Sequence, residues 1–323
     1  MKAKTNMHQN PLVSVVMPVY EHTDQQLKRA ILSILDQTYQ NFELIIVDGG
    51  QGDANAKIVR SFHDKRIRYF KKIGYINCLN VGIEKSRGKY IARMDSDDVS
   101  YPDRLKVQVN FLQQHQDVCL CSCLVDYEGA ILEKQSHHQK PITLLNLIKK
   151  QEIVHPAMMF RKDLNLHYDH IKPLEDCWLF RKLLLQGKKI AIIDQVLLLS
   201  HVSSTSIMDR HPDLMRCWEA KMNIWALSRY YGYPLSFGDD IFRRRHFSRE
   251  QIKELLTFVC HLKRPLKEHA IKSDKLFFHF YRYMFRHCSE SRYWLFFNRR
   301  YYAAFLKRDL KYACKRVLHF NKR

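Results

Sequence analysis

Apolar and polar positions alternate along this chain with two different periods, and the change of period divides it in two. Leu12-Val13-Ser14-Val15-Val16-Met17 is almost continuously apolar and closes on Pro18, which fits a strand buried on both faces. Leu27, Ala30, Ile31, Ile34 and Leu35 then recur at helical spacing. Phe42 to Val47 is a second apolar run ending in Asp48-Gly49-Gly50, an amphipathic stretch follows near Ala54 to Phe62, and Ile67 to Phe70 reads as a third strand. The spacing predicts a helix over Ile76 to Lys85, a strand over Tyr90 to Met94 after Gly88, and a further strand over Val118 to Val125. A helix is expected to start at Pro102-Asp103-Arg104-Leu105 with Pro in its first turn. After Ser206 only the helical period remains, and Ser248-Arg249-Glu250-Gln251 fits a capping box ahead of Ile252, Leu255, Leu256 and Val259. These patterns imply an α/β class: a mostly parallel mixed sheet flanked by helices over residues 11–210, a tail at 1–10, and a helical region over 211–323.

In open α/β sheets ligands collect beyond the carboxyl ends of the strands. Pro18-Val19-Tyr20-Glu21, Asp48-Gly49-Gly50 and Asp95-Ser96-Asp97-Asp98 all follow strand ends, so three loops are expected to meet in one crevice. Crowded acids at the exit of a buried strand repel one another and are costly to desolvate. A hard cation relieves that cost, and an all-oxygen donor set suits Mg2+ or Mn2+, which typically keeps its other positions for waters and substrate phosphates. A lone Asp-x-Asp is also common in solvated turns; the position after a buried strand, with Asp48 on a neighbouring strand end, is what points to a nucleoside diphosphate.

Composition changes this picture in one respect. The formal net charge is +21, and residues 208–323 carry +15 of it. The ten Lys/Arg of residues 291–323 are interleaved with Trp294, Phe296, Phe297, Tyr301, Tyr302, Phe305 and Phe320, against the single acid Asp309. A helix with one basic and one aromatic face suits adsorption to anionic lipid; a docked helix with solvated charges is the plainer alternative. The longest apolar stretches, Leu276 to Phe285 and Trp294 to Phe305, are interrupted by Arg and His and do not read as membrane spans. Nine scattered cysteines and the absence of an apolar run in Met1 to Asn10 suggest a reducing, cytoplasmic setting, peripheral at the inner face of the membrane. Cys119-x-Cys121-x-Cys123 has no second Cys/His pair to complete a metal set and reads as core packing, and His137-His138 as a solvated turn.

The stretches Val13 to Tyr20, Ser33 to Asp48, Leu79-Asn80-Val81-Gly82-Ile83, Gly88 to Asp98 and Leu174-Glu175-Asp176-Cys177-Trp178-Leu179 resemble, in order and spacing, glycosyltransferase family 2 of the GT-A fold. In wording the chain is similar to bacterial transferases that extend lipooligosaccharide with N-acetylhexosamine or galactose. The resemblance implies an inverting, metal-dependent transfer from a UDP-sugar (GlcNAc, GalNAc or Gal) to a glycan or glycolipid hydroxyl. It places the donor at Pro18, Tyr20, Glu21, Asp48, Asn80, Arg93, Asp95, Ser96 and Asp97. It puts Mn2+ or Mg2+ on Asp97, with Asp95, Asp98 and His201 as further candidate ligands, and nominates Asp176 as catalytic base. Taken alone, Glu175-Asp176 reads as acidic charge complementing a helix N-terminus.

Two departures stand out. Many relatives carry Asp-Asp-Gly-Ser where this chain has Asp48-Gly49-Gly50-Gln51, so a second base-contacting carboxylate is missing. The family's Arg-x-His element falls on Ser200-His201-Val202-Ser203, with His201 at the Arg position and Ser203 at the His position. Acceptor contacts are expected in Tyr127 to His170. Two other readings compete: a basic nucleic-acid-binding protein on an α/β scaffold, and a non-catalytic nucleotide-sugar binding subunit. The carboxylate sites speak against nucleic acid as the partner.

Overall fold

The structure, a computed structural model, describes residues 10–20, 22–127, 141–171, 174–201, 212–242 and 248–271. Residues 1–9, Glu21, His137-His138, Ser203 and the basic aromatic segment 291–323 lie outside the described residues. The chain divides into two compact units, Met1–Ser206 and Ile207–Arg323, against an expected boundary near 210.

The first unit alternates strands and helices as the apolar runs require: β1 (Val13–Val19), α1 (Asp24–Leu35), β2 (Phe42–Asp48), α2 (Ala54–Arg60), β3 (Ile67–Lys71), α3 (Tyr75–Lys85) and β4 (Tyr90–Arg93). It continues through β5 (Val99–Ser100), α4 (Arg104–Gln114), β6 (Val118–Asp126), β7 (Pro141–Ile142), α5 (Leu144–Lys149), β8 (Met159–Arg161), α6 (Glu175–Leu185) and β9 (Lys189–Leu199). One sheet holds all nine strands in the order β3-β2-β1-β4-β8-β6-β9-β5, with β7 also on β9. The β3-β2-β1-β4 half is parallel, β8 runs antiparallel to both β4 and β6, and β6 pairs with β9 in parallel.

Helices cover both faces. Leu27, Ile31, Ile58, Leu105 and Val109 pack with Val13, Val15 and Met17 on one side; Ile76, Leu79, Leu147 and Phe180 pack with Val16 and Ile91 on the other. Alternate residues of β1 thus serve opposite cores, which is why its sequence is apolar except at Ser14. Thr23 closes α1 with a capping box through Gln26. Gly82 lets α3 lie close on β1, since a Cβ there would come within 2.3 Å of Val16 Cγ1. At the amino edge, buried Glu43 accepts from Ser14 Oγ (2.6 Å), Arg87 N (2.7 Å) and Arg68 (2.7 Å).

Three expectations shift. The α4 helix begins at Arg104, so Pro102 precedes it instead of sitting in its first turn. The α6 helix already includes Glu175 and Asp176. The three cysteines of β6 do not share a face: a register shift between Val118 and Leu120 turns Cys119 toward the core on the α3 side, while Cys121 and Cys123 join the other core. All three thiols are pushed up by burial, consistent with their packing role.

In the second unit the described helices are Pro212–Tyr230 and Arg249–Glu268. Ser248 and Gln251 make the expected capping box, and Trp218 stacks on Phe242 at 6.0 Å between ring centroids. No helix among the described residues is long and apolar enough to cross a membrane.

Candidate active site

The carboxyl ends of β1, β2 and β4 are adjacent by register, Val19 opposite Asp48 and Val16 opposite Arg93. Each parallel strand delivers its last residue to the same edge, so the three loops meet as expected. Tyr20 follows Pro18 and Val19 of β1 and is half-exposed, 48%. Asp48 is buried and wholly engaged: Oδ1 accepts from Gly50 N (2.8 Å) and Asn55 (2.9 Å), and Oδ2 from the Tyr69 hydroxyl (2.5 Å). The neighbouring Gly49 has little room for a side chain, because a Cβ would lie 3.1 Å from Tyr20 Cδ2 and 3.2 Å from Cys78 Sγ.

Beyond β4, Asp95, Asp97 and Asp98 bring one carboxylate oxygen each within 4.8 Å of the others. They are not equivalent. Arg93, 3% exposed, grips both oxygens of Asp95 and also donates to the Tyr75 hydroxyl. Burial alone favours loss of the Arg93 proton, but the Asp95 carboxylate outweighs it and holds the guanidinium firmly charged. Asp97 is raised by burial and then by the Asp95 charge. Asp98 is 2% exposed and is pushed up to about 7, first by burial and then by Asp95 and Asp97. Its Oδ1 accepts from His201 N (3.1 Å), whereas among the described residues its buried Oδ2 has no hydrogen-bond partner. An orphaned carboxylate oxygen beside two other carboxylates is the donor set a hard divalent cation takes. Asp97 and Asp98, with the oxygen lone pairs that Arg93 leaves on Asp95, therefore fit such an ion. His201 donates its backbone N–H here, and its charge acts on Asp97.

Asp176 lies in the first turn of α6, where its Oδ1 accepts from Cys177 N (2.7 Å). Burial raises its carboxyl, and Arg93 and Arg181 oppose the rise. The positive charge of Arg93 acts on Asp97, Asp98, Asp176, His155 and Tyr168 alike, so one buried guanidinium joins the carboxylate cluster to the helix that carries Asp176. Arg104, fully buried, fixes this junction by donating to Arg93 O (2.6 Å) and Pro156 O (2.8 Å). Ser96 is buried within the loop. Asn80 points elsewhere: both ends of its amide hold the backbone of Tyr168, at 3.0 and 2.8 Å. It clamps α3 to the segment before α6.

Sequence reasoning missed Tyr75, Arg104, His155 and Tyr168. His155 Nε2 meets the Tyr168 hydroxyl at 2.5 Å, and both residues are buried. Burial and the Arg93 charge keep the imidazole neutral, well below its ordinary range, and burial raises Tyr168. The available signal was a polar residue just ahead of the apolar run Pro156 to Phe160; nothing local names its partner.

The profile described as Glycosyl transferase family 2 matches residues 14–185. An uncharacterized glycosyltransferase of Rickettsia bellii is 35% identical over 177 residues, 52% of this chain and 26% of its own length. One from Haemophilus influenzae is 41% identical over 110 residues, 32% and 44% of the two chains. One from Methanocaldococcus jannaschii is 34% identical over 173 residues, 49% and 59%. The chain thus spans less than two thirds of each of these relatives. Among solved structures, S. aureus TarS 1-349 in complex with UDP-GlcNAc superposes with a TM-score of 0.55 at 17% identity, covering 83% of this chain and 86% of that one. The mannosyltransferase PcManGT from Pyrobaculum calidifontis, in complex with GDP-Man and Mn2+, gives 0.51 at 15% identity, covering 78% and 75%. At such identities the likeness is one of fold. Since the profile runs from the first strand through the helix that bears Asp176, the chain belongs to glycosyl transferase family 2, and its mixed sheet has the GT-A architecture.

Proposed function

We propose that this chain is an inverting, metal-dependent glycosyltransferase. It moves a sugar, GlcNAc, GalNAc or Gal from a UDP donor, to a hydroxyl of a lipid-linked bacterial surface glycan such as lipooligosaccharide. The observation that carries the reading is the pairing of an under-satisfied carboxylate cluster with a raised carboxyl, Asp176, in the field of one buried arginine. UDP, UDP-GlcNAc, GDP-Man and Mn2+ in complexes of proteins with this fold support a nucleotide-sugar donor.

Tyr20 offers its exposed ring to the nucleoside beside Asp48. Asp97 and Asp98, with Asp95, hold Mn2+ or Mg2+, which when bound supplies Lewis-acid stabilisation of the departing diphosphate. Arg93 fixes Asp95. Asp176 takes the proton of the acceptor hydroxyl as its oxygen attacks the anomeric carbon from the face opposite the diphosphate, so an α-linked donor gives a β product. A carboxyl raised by burial is a better base than a solvated one, and general-base help of this kind contributes about 10²–10⁴ in rate. The segment 291–323 is proposed, on its sequence alone, to adsorb to the inner-membrane surface.

The test is Asp176→Asn, assayed with a panel of UDP-sugars and truncated lipooligosaccharide. Turnover should fall by about 10² or more while UDP binding in Mn2+ persists. Near-normal transfer by the variant would remove Asp176 from the role of base.

A further inference from the structure

A groove of about 480 Å³ runs along α3 on the sheet face away from α1 and α4. One wall is a stripe of α3, Asn77, Asn80, Val81 and Glu84, whose spacing places them on a single helix face. The other wall is the chain from Lys162 to His170, held to α3 by the Asn80 clamp on Tyr168. The groove opens at the active edge of the sheet. Lys72 sits at that end, its backbone N on Asp48 O at 2.9 Å. His170 follows Asp169, which accepts from Trp178 and Lys182 of the helix that bears Asp176.

Its chemistry is one-sided. Lys72, Lys162, His167 and His170 face it, against the single acid Glu84, which is paired with Lys85 at 2.9 Å. Lys162 is anchored on the Ser86 carbonyl. Among the described residues the Lys72 ammonium and the His170 imidazole have no protein partner. Two unused cationic or hydrogen-bonding groups beside carboxamides suit a ligand that combines anionic oxygens with many hydroxyls. The lining has no Phe, Tyr or Trp on which a nucleobase could stack, which argues against single-stranded nucleic acid.

We infer that this groove binds an anionic saccharide, the phosphate- or carboxylate-bearing portion of the acceptor glycan beyond the reacting sugar. Assignment to the acceptor rests on the proposed sugar transfer; the binding site itself does not. Lys72 and His170 take the anionic group near the active edge, where Asn77 lies in the first turn of α3, and Asn165 beside Lys162 faces the neutral sugar hydroxyls.

Calorimetric titration of the full chain with glucose 6-phosphate, glucuronic acid, glucose and inorganic phosphate tests this, with UDP plus Mn2+ titrated separately. At least one anionic sugar should bind more tightly than glucose and than inorganic phosphate, and the two anionic arms tell phosphate from carboxylate. Lys72→Glu/His170→Glu should weaken that sugar by about tenfold or more. Lys106→Glu, an exposed change on α4 across the sheet, should alter it by less than about twofold. Absence of saccharide binding in a protein that binds UDP overturns the groove alone. Equal binding of inorganic phosphate, or equal losses in both variants, overturns it as a built site. Saccharide binding without UDP binding keeps the groove and overturns the transferase reading.

Discussion

Replacing Asp98 by Asn separates what the carboxylate cluster costs the fold from what it offers a cation. Asp98 is buried, its Oδ2 has no partner among the described residues, and burial followed by the charges of Asp95 and Asp97 lifts its carboxyl from 3.8 to about 7. A displacement of that size corresponds to about 4 kcal/mol of disfavoured ionisation at neutral pH. This is a ceiling. Asn retains an oxygen for the His201 N–H and its amide can donate to a neighbouring carboxylate, but Asp97 and local water readjust, leaving an expected gain of about 1–3 kcal/mol.

The sign with pH follows from linkage. A carboxyl raised in the folded state keeps a proton there that the unfolded chain has lost, so wild-type stability falls as pH rises from about 4 to about 7 and is level above. The carboxamide of the Asp98→Asn variant has no such titration. Urea unfolding in EDTA, followed by Trp fluorescence, should therefore show Asp98→Asn more stable than wild type at pH 8, with less than half of that gap at pH 5. Saturating Mn2+ should stabilise the wild type more than the variant, because only binding to the folded state shifts the midpoint. A variant no more stable than wild type at pH 8, or a gap that widens toward pH 5, would refute the reasoning.

Two further predictions concern the frame that positions the site. Burial pushes Glu43 up, but hydrogen bonds from Ser14, Arg87 and Arg68 outweigh it and hold the carboxyl below its ordinary 4.5; its contribution is present above that value and lost as pH falls through the lower, folded one. Glu43→Gln should cost about 1–3 kcal/mol at pH 7 and progressively less below about pH 4.5, read from urea midpoints across that range. Gly82→Ala should cost about 1–3 kcal/mol in the same assay, because its methyl group must displace Val16 from beneath α3.

The parts of this molecule visible in its sequence are those whose physics is local. The β1, β2 and β4 strands announce themselves because burial on both faces forces largely apolar runs, and their polar exits mark the active edge. The reversing strand β8 has only Met159–Arg161 and is defined by distant partners, Tyr90–Ala92 on one side and Leu120-Cys121 on the other, so no periodicity reveals it. The register shift that turns Cys119 away from Cys121 is likewise a property of the pairing with β9. His155 and Tyr168, or Arg104 and the Arg93 carbonyl, become partners only when the sheet closes.

Arg93 shows why this division matters for function. By resemblance it is one more donor contact beside an acidic cluster; in the fold it is the internal counter-charge that pairs directly with Asp95. Among the described residues nothing donates to Oδ2 of Asp98, and Asp97 remains raised by its neighbours. One satisfied carboxylate gives the loop its shape, and two poorly satisfied ones keep oxygen lone pairs that a cation could take. A fold that had neutralised all three internally would be more stable, and it would have no affinity left for a cation.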